Sequence, residues 1–122
     1  MSDVNNIMTV TTPYVPSMKI EKTLGTVWGL VVRSRGLGGN VIAGLRSIAG
    51  GEIKEYTQML EEARQHALER LRENAAALGA NAIIGVRFDS SELGQTMTEI
   101  VAYGTAVISA ADFEPRQAVR LG

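Results

Sequence analysis

The chain has 122 residues, 45% hydrophobic and 20% charged, with a formal net charge of −1. That is the length of one domain with enough apolar content for a core. Its twelve Lys and Arg are interleaved with thirteen Asp and Glu, so no basic face for nucleic acid stands out. The absence of cysteine excludes disulfides, thiolate metal sites, iron–sulfur clusters and cysteine nucleophiles.

Residues 1–6 are polar and read as a flexible N-terminus, without the basic start and apolar run of a secretory signal. The β-branched run Ile7 to Thr12 predicts a short strand, broken by Pro13 and Pro16, which lack an N–H donor. Lys19 to Arg33 predicts a second strand, rich in Thr and Val. Gly25 and Gly29 interrupt it, marking a bulge or the close approach of another backbone. Trp28, the single tryptophan, is a candidate core anchor or subunit contact. After a loop through Gly39, Asn40 is placed to cap a short helix over Val41–Ala49, which Gly50-Gly51 ends.

Glu52 to Leu78 carries the strongest signal. Ile53, Tyr56, Leu60, Ala63, Ala67, Leu71, Ala75 and Leu78 recur at spacings of three and four, so they share one face of a long helix. Glu61, Arg64, Glu69 and Arg72 lie mostly on the other face, at spacings that suit i,i+3 pairs. Gly79 is the natural residue to end this helix in the left-handed conformation.

Asn81 to Asp89 predicts a third strand, with Ala82, Ile84, Val86 and Phe88 on one face and Ile83 on the other. A turn over Ser90–Gly94 leads to a fourth strand, Gln95 to Ser109, as an antiparallel hairpin. Residues 110–122 read as a C-terminal tail, leaving 7–109 as a single domain. No segment has the apolar length of a membrane span, and a cytoplasmic protein is expected.

The fold class expected is α+β: an antiparallel-rich sheet of about four strands, with one long and one short helix packed on it. The predicted strands carry apolar residues on both faces. Ile83, Ile100 and Ile108 cannot share one core with Ala82, Ile84 and Phe88 if a helix covers one face alone. A neighbouring copy is the simplest cover for the other.

An ordered set of short motifs supports a resemblance. Thr11-Thr12 is followed by Leu24-Gly25-Thr26-Val27, then by Gly50-Gly51 with Tyr56 at the start of the long helix. Ala63-Arg64 and Ala67-Leu68 lie within that helix. Leu78-Gly79-Ala80-Asn81-Ala82-Ile83-Ile84-Gly85-Val86 and Gly104-Thr105-Ala106-Val107 complete the series. Over roughly residues 7–108 the chain resembles the YbjQ-like family, often labelled "putative heavy-metal-binding". The resemblance implies a small α+β subunit of a ring-like homopentamer. It implies no reaction, because the family's function is not established. Members often carry more acidic residues where this chain reads Trp28-Gly29-Leu30-Val31, Val41-Ile42-Ala43-Gly44 and Phe88-Asp89-Ser90-Ser91-Glu92, which weakens any metal role carried over.

The candidate site residues are few. Metal binding needs converging imidazole, thiolate or carboxylate ligands. His66, the single histidine, lies at i+4 from Glu62, yet it reads more simply as a solvated helix residue. In a ring, Asp89, Glu92 and Glu99 would gather ligands across subunits. Arg33, Arg35 and Arg46 flank the glycine cluster Gly36-Leu37-Gly38-Gly39 and make it a candidate anion site. That cluster matches neither the dinucleotide fingerprint nor the P-loop and reads first as a connector. No nucleophile motif surrounds His66, and the helix carboxylates read as a solvated face rather than an acid–base pair. The function expected is therefore non-enzymatic: a homo-oligomer, pentameric by the resemblance, holding a small ligand or ion in a channel or inter-subunit crevices. The alternatives are a heavy-metal-binding module and an enzyme with a composite inter-subunit site.

Overall fold

The computed structural model describes residues 4–34 and 54–111. The Val41–Ala49 helix, the glycine cluster, Arg35, Arg46 and residues 112–122 lie outside them. A 3₁₀ turn at Val4–Asn6 leads into β1 (Met8–Thr9) and then β2 (Met18–Ser34). The long helix, α1, spans Lys54–Ala77, and β3 (Ala82–Leu93) and β4 (Met97–Ala111) form a hairpin. The sheet order is β1-β3-β4-β2. β2–β4 and β3–β4 are antiparallel, and β1 runs parallel to β3. The architecture is the expected α+β fold with a mixed four-stranded sheet and one long helix. The hairpin turn sits later than expected: β3 continues through Ser90 to Leu93, and Gly94 makes the turn at φ 71°.

The helix buries the face its periodicity marks. Ala63, Ala67, Leu71 and Ala75 are fully buried against the sheet, whereas Leu78, past the last helical residue, is exposed. Three of those four side chains are single methyl groups, so the helix sits close to β2. Gly29 accommodates it: a Cβ there would lie 2.2 Å from the Ala67 carbonyl oxygen. Gly25 plays the other role foreseen for a strand glycine, with φ 125° at a register shift between β2 and β4.

The helix ends in a Schellman arrangement. Gly79, at φ 89°, donates its N–H to the Ala76 carbonyl, and the Ala80 N–H returns to the Ala75 carbonyl. These bonds satisfy two carbonyls at the helix end. The Glu61–Arg64 and Glu69–Arg72 pairs suggested by spacing give way to other contacts. Arg64 lies over the Phe88 ring, 5.0 Å from its centroid, and Arg72 reaches the Thr9 hydroxyl at 3.5 Å.

The alternation expected along the third strand fails at one residue. Gly85 takes φ 61°, and the register with β4 shifts between Ile84 and Arg87. An extra residue in one strand moves every later side chain to the opposite face. Ile83, Val86 and Phe88 consequently share the core beneath α1, together with Ile100. The proposed split between Ile83 and Ile100 on one face and Phe88 on the other is thereby corrected. Gly104 faces this bulge; a Cβ there would come within 2.9 Å of the Ile84 carbonyl oxygen.

Candidate functional site

Strand pairing assigns the second face of the sheet. Trp28 and Arg87 flank Tyr103, Leu30 and Asp89 flank Val101, and Val32 and Ser91 flank Glu99. These residues lie opposite the helix-facing set Val27, Val31, Ile100 and Ala102. Trp28 is 57% exposed, Val32 46% and Leu30 40%, so Trp28 is no core anchor. Val101 and Tyr103 between the strands are half-buried. Three adjacent apolar side chains on β2, continued by Val101 and Tyr103, form a patch of the kind that marks an interaction surface.

The edge of β2 is closed by side chains from α1. Arg70 donates to the Leu30 carbonyl and Asn74 to the Trp28 carbonyl, both at 2.6 Å. One turn earlier, His66 Nδ1 accepts from the Arg33 guanidinium. Residues 66, 70 and 74 repeat at intervals of four, so one helical stripe serves the whole seam. Those carbonyls would otherwise be open to a pairing strand. The apolar patch therefore offers a face for packing rather than a backbone edge at this point.

The candidate ligands are dispersed. Glu62 accepts from Gln58 at 3.2 Å, one turn from His66, and both side chains are exposed. The imidazole's Nδ1 is engaged by a guanidinium, which adds positive charge where a metal cation would bind. Asp89 and Glu99 lie on the outward face, where Ser91 donates to Glu99 at 3.1 Å; Glu92 pairs with Thr98 on the helix side. Among the described residues no three His, Asp or Glu side chains converge on a common point. Arg33 is tied to the helix, with Arg35 and Arg46 outside the described residues.

Sequence reasoning passed over two features. Asn81 bridges the start of β3 to the end of β4: its Nδ2 donates to the Ser109 carbonyl at 2.7 Å, and its Oδ1 accepts from the Ser109 N–H at 2.8 Å. The second is a cavity of about 220 Å³ between the first half of α1 and the far end of the hairpin. Tyr56, Leu60 and Arg64 approach it from the helix, and Glu92, Thr98 and Ile100 from the strands. The spacing of Tyr56, Leu60 and Arg64 puts them on one stripe, which was the available signal. What the stripe would face was not visible without the hairpin. No helix among the described residues is long and apolar enough to cross a membrane.

Comparison with known proteins follows the same outline as the fold. A family model described as "Putative heavy-metal-binding" matches residues 7–110. A UPF0145 protein of Methanoregula boonei is 62% identical over 122 residues, covering the whole of both chains. Another UPF0145 protein, from Thermoplasma volcanium, is 63% identical over 108 residues, 88% of each chain. Among solved structures, a protein of unknown function of the DUF74 family from Pediococcus pentosaceus superposes with a TM-score of 0.54 at 18% identity. The match covers 84% of this chain and 96% of that one, and it shows the fold alone.

Proposed function

The chain belongs to the YbjQ family, the UPF0145 proteins, and from that premise we propose that it works as a self-associating, non-enzymatic cytoplasmic subunit. The assembly is a ring-like homopentamer, and its channel or inter-subunit crevices hold a small ligand or ion. One observation supports the reading above the rest: the outward sheet face carries Trp28, Leu30 and Val32 in a row, each at least 40% exposed. A second copy is the occupant that fits. The patch is apolar at its centre and has Arg87, Asp89 and Glu99 around it, which is the arrangement of an interface core within a polar rim. A domain this small also gains most from burying surface that it cannot cover itself. The count of five rests on the family resemblance.

The heavy-metal reading is favoured only by the family's description. One subunit brings no three such ligands together among its described residues, so a metal site built from those residues would draw on several subunits. Light scattering after size exclusion tests the main reading at low micromolar concentration. Five times 13.1 kDa gives about 65 kDa, and Leu30→Lys shifts the protein toward the subunit mass by placing a charge in the apolar patch. A stable wild-type monomer would sink the proposal, because the channel and crevices exist only in an assembly.

A further inference from the structure

We infer that copies of this chain join head to tail, the hairpin end of one subunit seating Leu93 and Met97 in the groove beside Trp28 of the next. The inference rests on the self-association reading and supplies its second surface. The groove lies where α1 ends beside the edge strand β2. Thr26, Val27 and Trp28 line it from the strand, and Asn74 and Leu78 from the helix side, around a space of about 300 Å³. Asn74 is fixed there by its bond to the Trp28 carbonyl. The walls are Trp28 and Leu78, which is 49% exposed. A tryptophan open to solvent at the lip of a cleft is the usual anchor of a protein contact. Through Trp28 the groove is also continuous with the apolar row Trp28, Leu30 and Val32.

A cleft takes a projecting element rather than a copy of itself. Apart from the groove and the Trp28 row, the large apolar side chains exposed among the described residues are Met8, Tyr14, Leu93 and Met97. Leu93 and Met97 are directly opposed at the hairpin end, on either side of the Gly94 turn, so they form one apolar unit. Met8 belongs to a two-residue strand and Tyr14 to the segment after it, and no strand pairing joins them. The hairpin end is also accessible from the side. The bonds from Val10 and Thr12 reach β3 only as far as Val86, and beyond that no other strand flanks its outer edge among the described residues. A subunit's own tip cannot fill its groove. Met97 pairs with Ser34 and Tyr103 with Trp28, which leaves roughly 20 Å of rigid strand between them. The occupant is therefore the tip of another copy, and the unbranched Met97 adapts readily to the cleft it enters. Charge agrees in sign: Arg33 and Arg70 stand along the β2 edge, and Asp89 and Glu99 lie on the tip's face. A contact between two different surfaces repeats from copy to copy and closes as a ring, whereas a face meeting itself stops at two.

The chain has no cysteine, so introduced thiols report this contact without background. Leu78→Cys and Met97→Cys are made singly and together in the full chain, oxidised under native conditions and run on a non-reducing gel. The double variant is expected to give a ladder of covalent oligomers, because the two positions of adjacent subunits come within disulfide reach. Each single variant is expected to stay uncrosslinked. Charge substitution is the second arm, at side chains exposed enough to leave the fold intact. Leu78→Glu and Met97→Lys should each raise the concentration at which the assembly half-dissociates by at least about tenfold. Combined in one chain they should recover most of that loss, since the new charges attract across the contact. Light scattering of the wild type separates the two readings: a monomer overturns self-association and this contact together. An assembled wild type overturns this contact alone if the double cysteine variant gives no ladder, if Leu78→Cys crosslinks to itself, or if the paired charges bring no recovery.

Discussion

Gly29→Ala tests whether the helix and β2 are as close as the structure has them. The substitution adds one methyl group at a residue whose φ is not positive, so backbone strain contributes little. The new Cβ would stand 2.2 Å from the Ala67 carbonyl oxygen and 2.4 Å from the Leu71 nitrogen. Both are main-chain atoms of a continuous helix and cannot rotate away. Restoring ordinary contact requires the helix to retreat by roughly 1 Å. The same motion stretches the bonds from Asn74 to the Trp28 carbonyl and from Arg70 to the Leu30 carbonyl, now 2.6 Å, to about 3.6 Å, beyond hydrogen-bond range. Losing one neutral and one charged bond costs about 2–3 kcal/mol, and overpacking adds about 1–3 kcal/mol. A total of about 3–6 kcal/mol is a large share of a domain's stability. Urea denaturation followed by circular dichroism, at fixed protein concentration, should show the midpoint falling by about 2 M. Gly25→Ala is the control: φ is 125° and nothing lies within 4 Å of the added Cβ, so it costs only the backbone strain it introduces, about 1–3 kcal/mol. A Gly29→Ala midpoint equal to wild type would refute the close approach.

Two further outcomes follow from particular residues. Gly79→Val should lower the thermal midpoint, because a β-branched residue at φ 89° carries a penalty of about 1–2 kcal/mol or more; an unchanged midpoint would mean that the helix ends without this residue's left-handed conformation. Tag-free protein should show no submicromolar calorimetric binding of zinc, copper or cadmium, given one histidine engaged by Arg33 and no cysteine. A submicromolar site that vanishes in His66→Ala would contradict that.

The elements legible in the sequence were those whose cause is local. The three-and-four spacing of Ala63, Ala67, Leu71 and Ala75 named the buried face of α1, because a helix repeats within its own length. Gly79 could be placed because its conformation answers to the carbonyls just before it. The glycines of β2 were legible as a pair of alternatives, a bulge or a close approach. Only the partners, β4 for Gly25 and α1 for Gly29, decided which residue did which.

Tertiary structure decided what depends on a neighbour distant in the chain. The bulge at Gly85 is a mismatch in register with β4, so period-two reading of β3 alone carried the wrong face past it. An uncovered second face was foreseen, and strand pairing places Trp28, Leu30, Val32, Val101 and Tyr103 on it. His66 read as a solvated helix residue until β2 placed Arg33 against it, 33 positions away. Periodicity and chain-end chemistry are properties of adjacent residues, and one sequence states them directly. Register, close approach and enclosed space are relations between segments, and they exist only once the segments have packed.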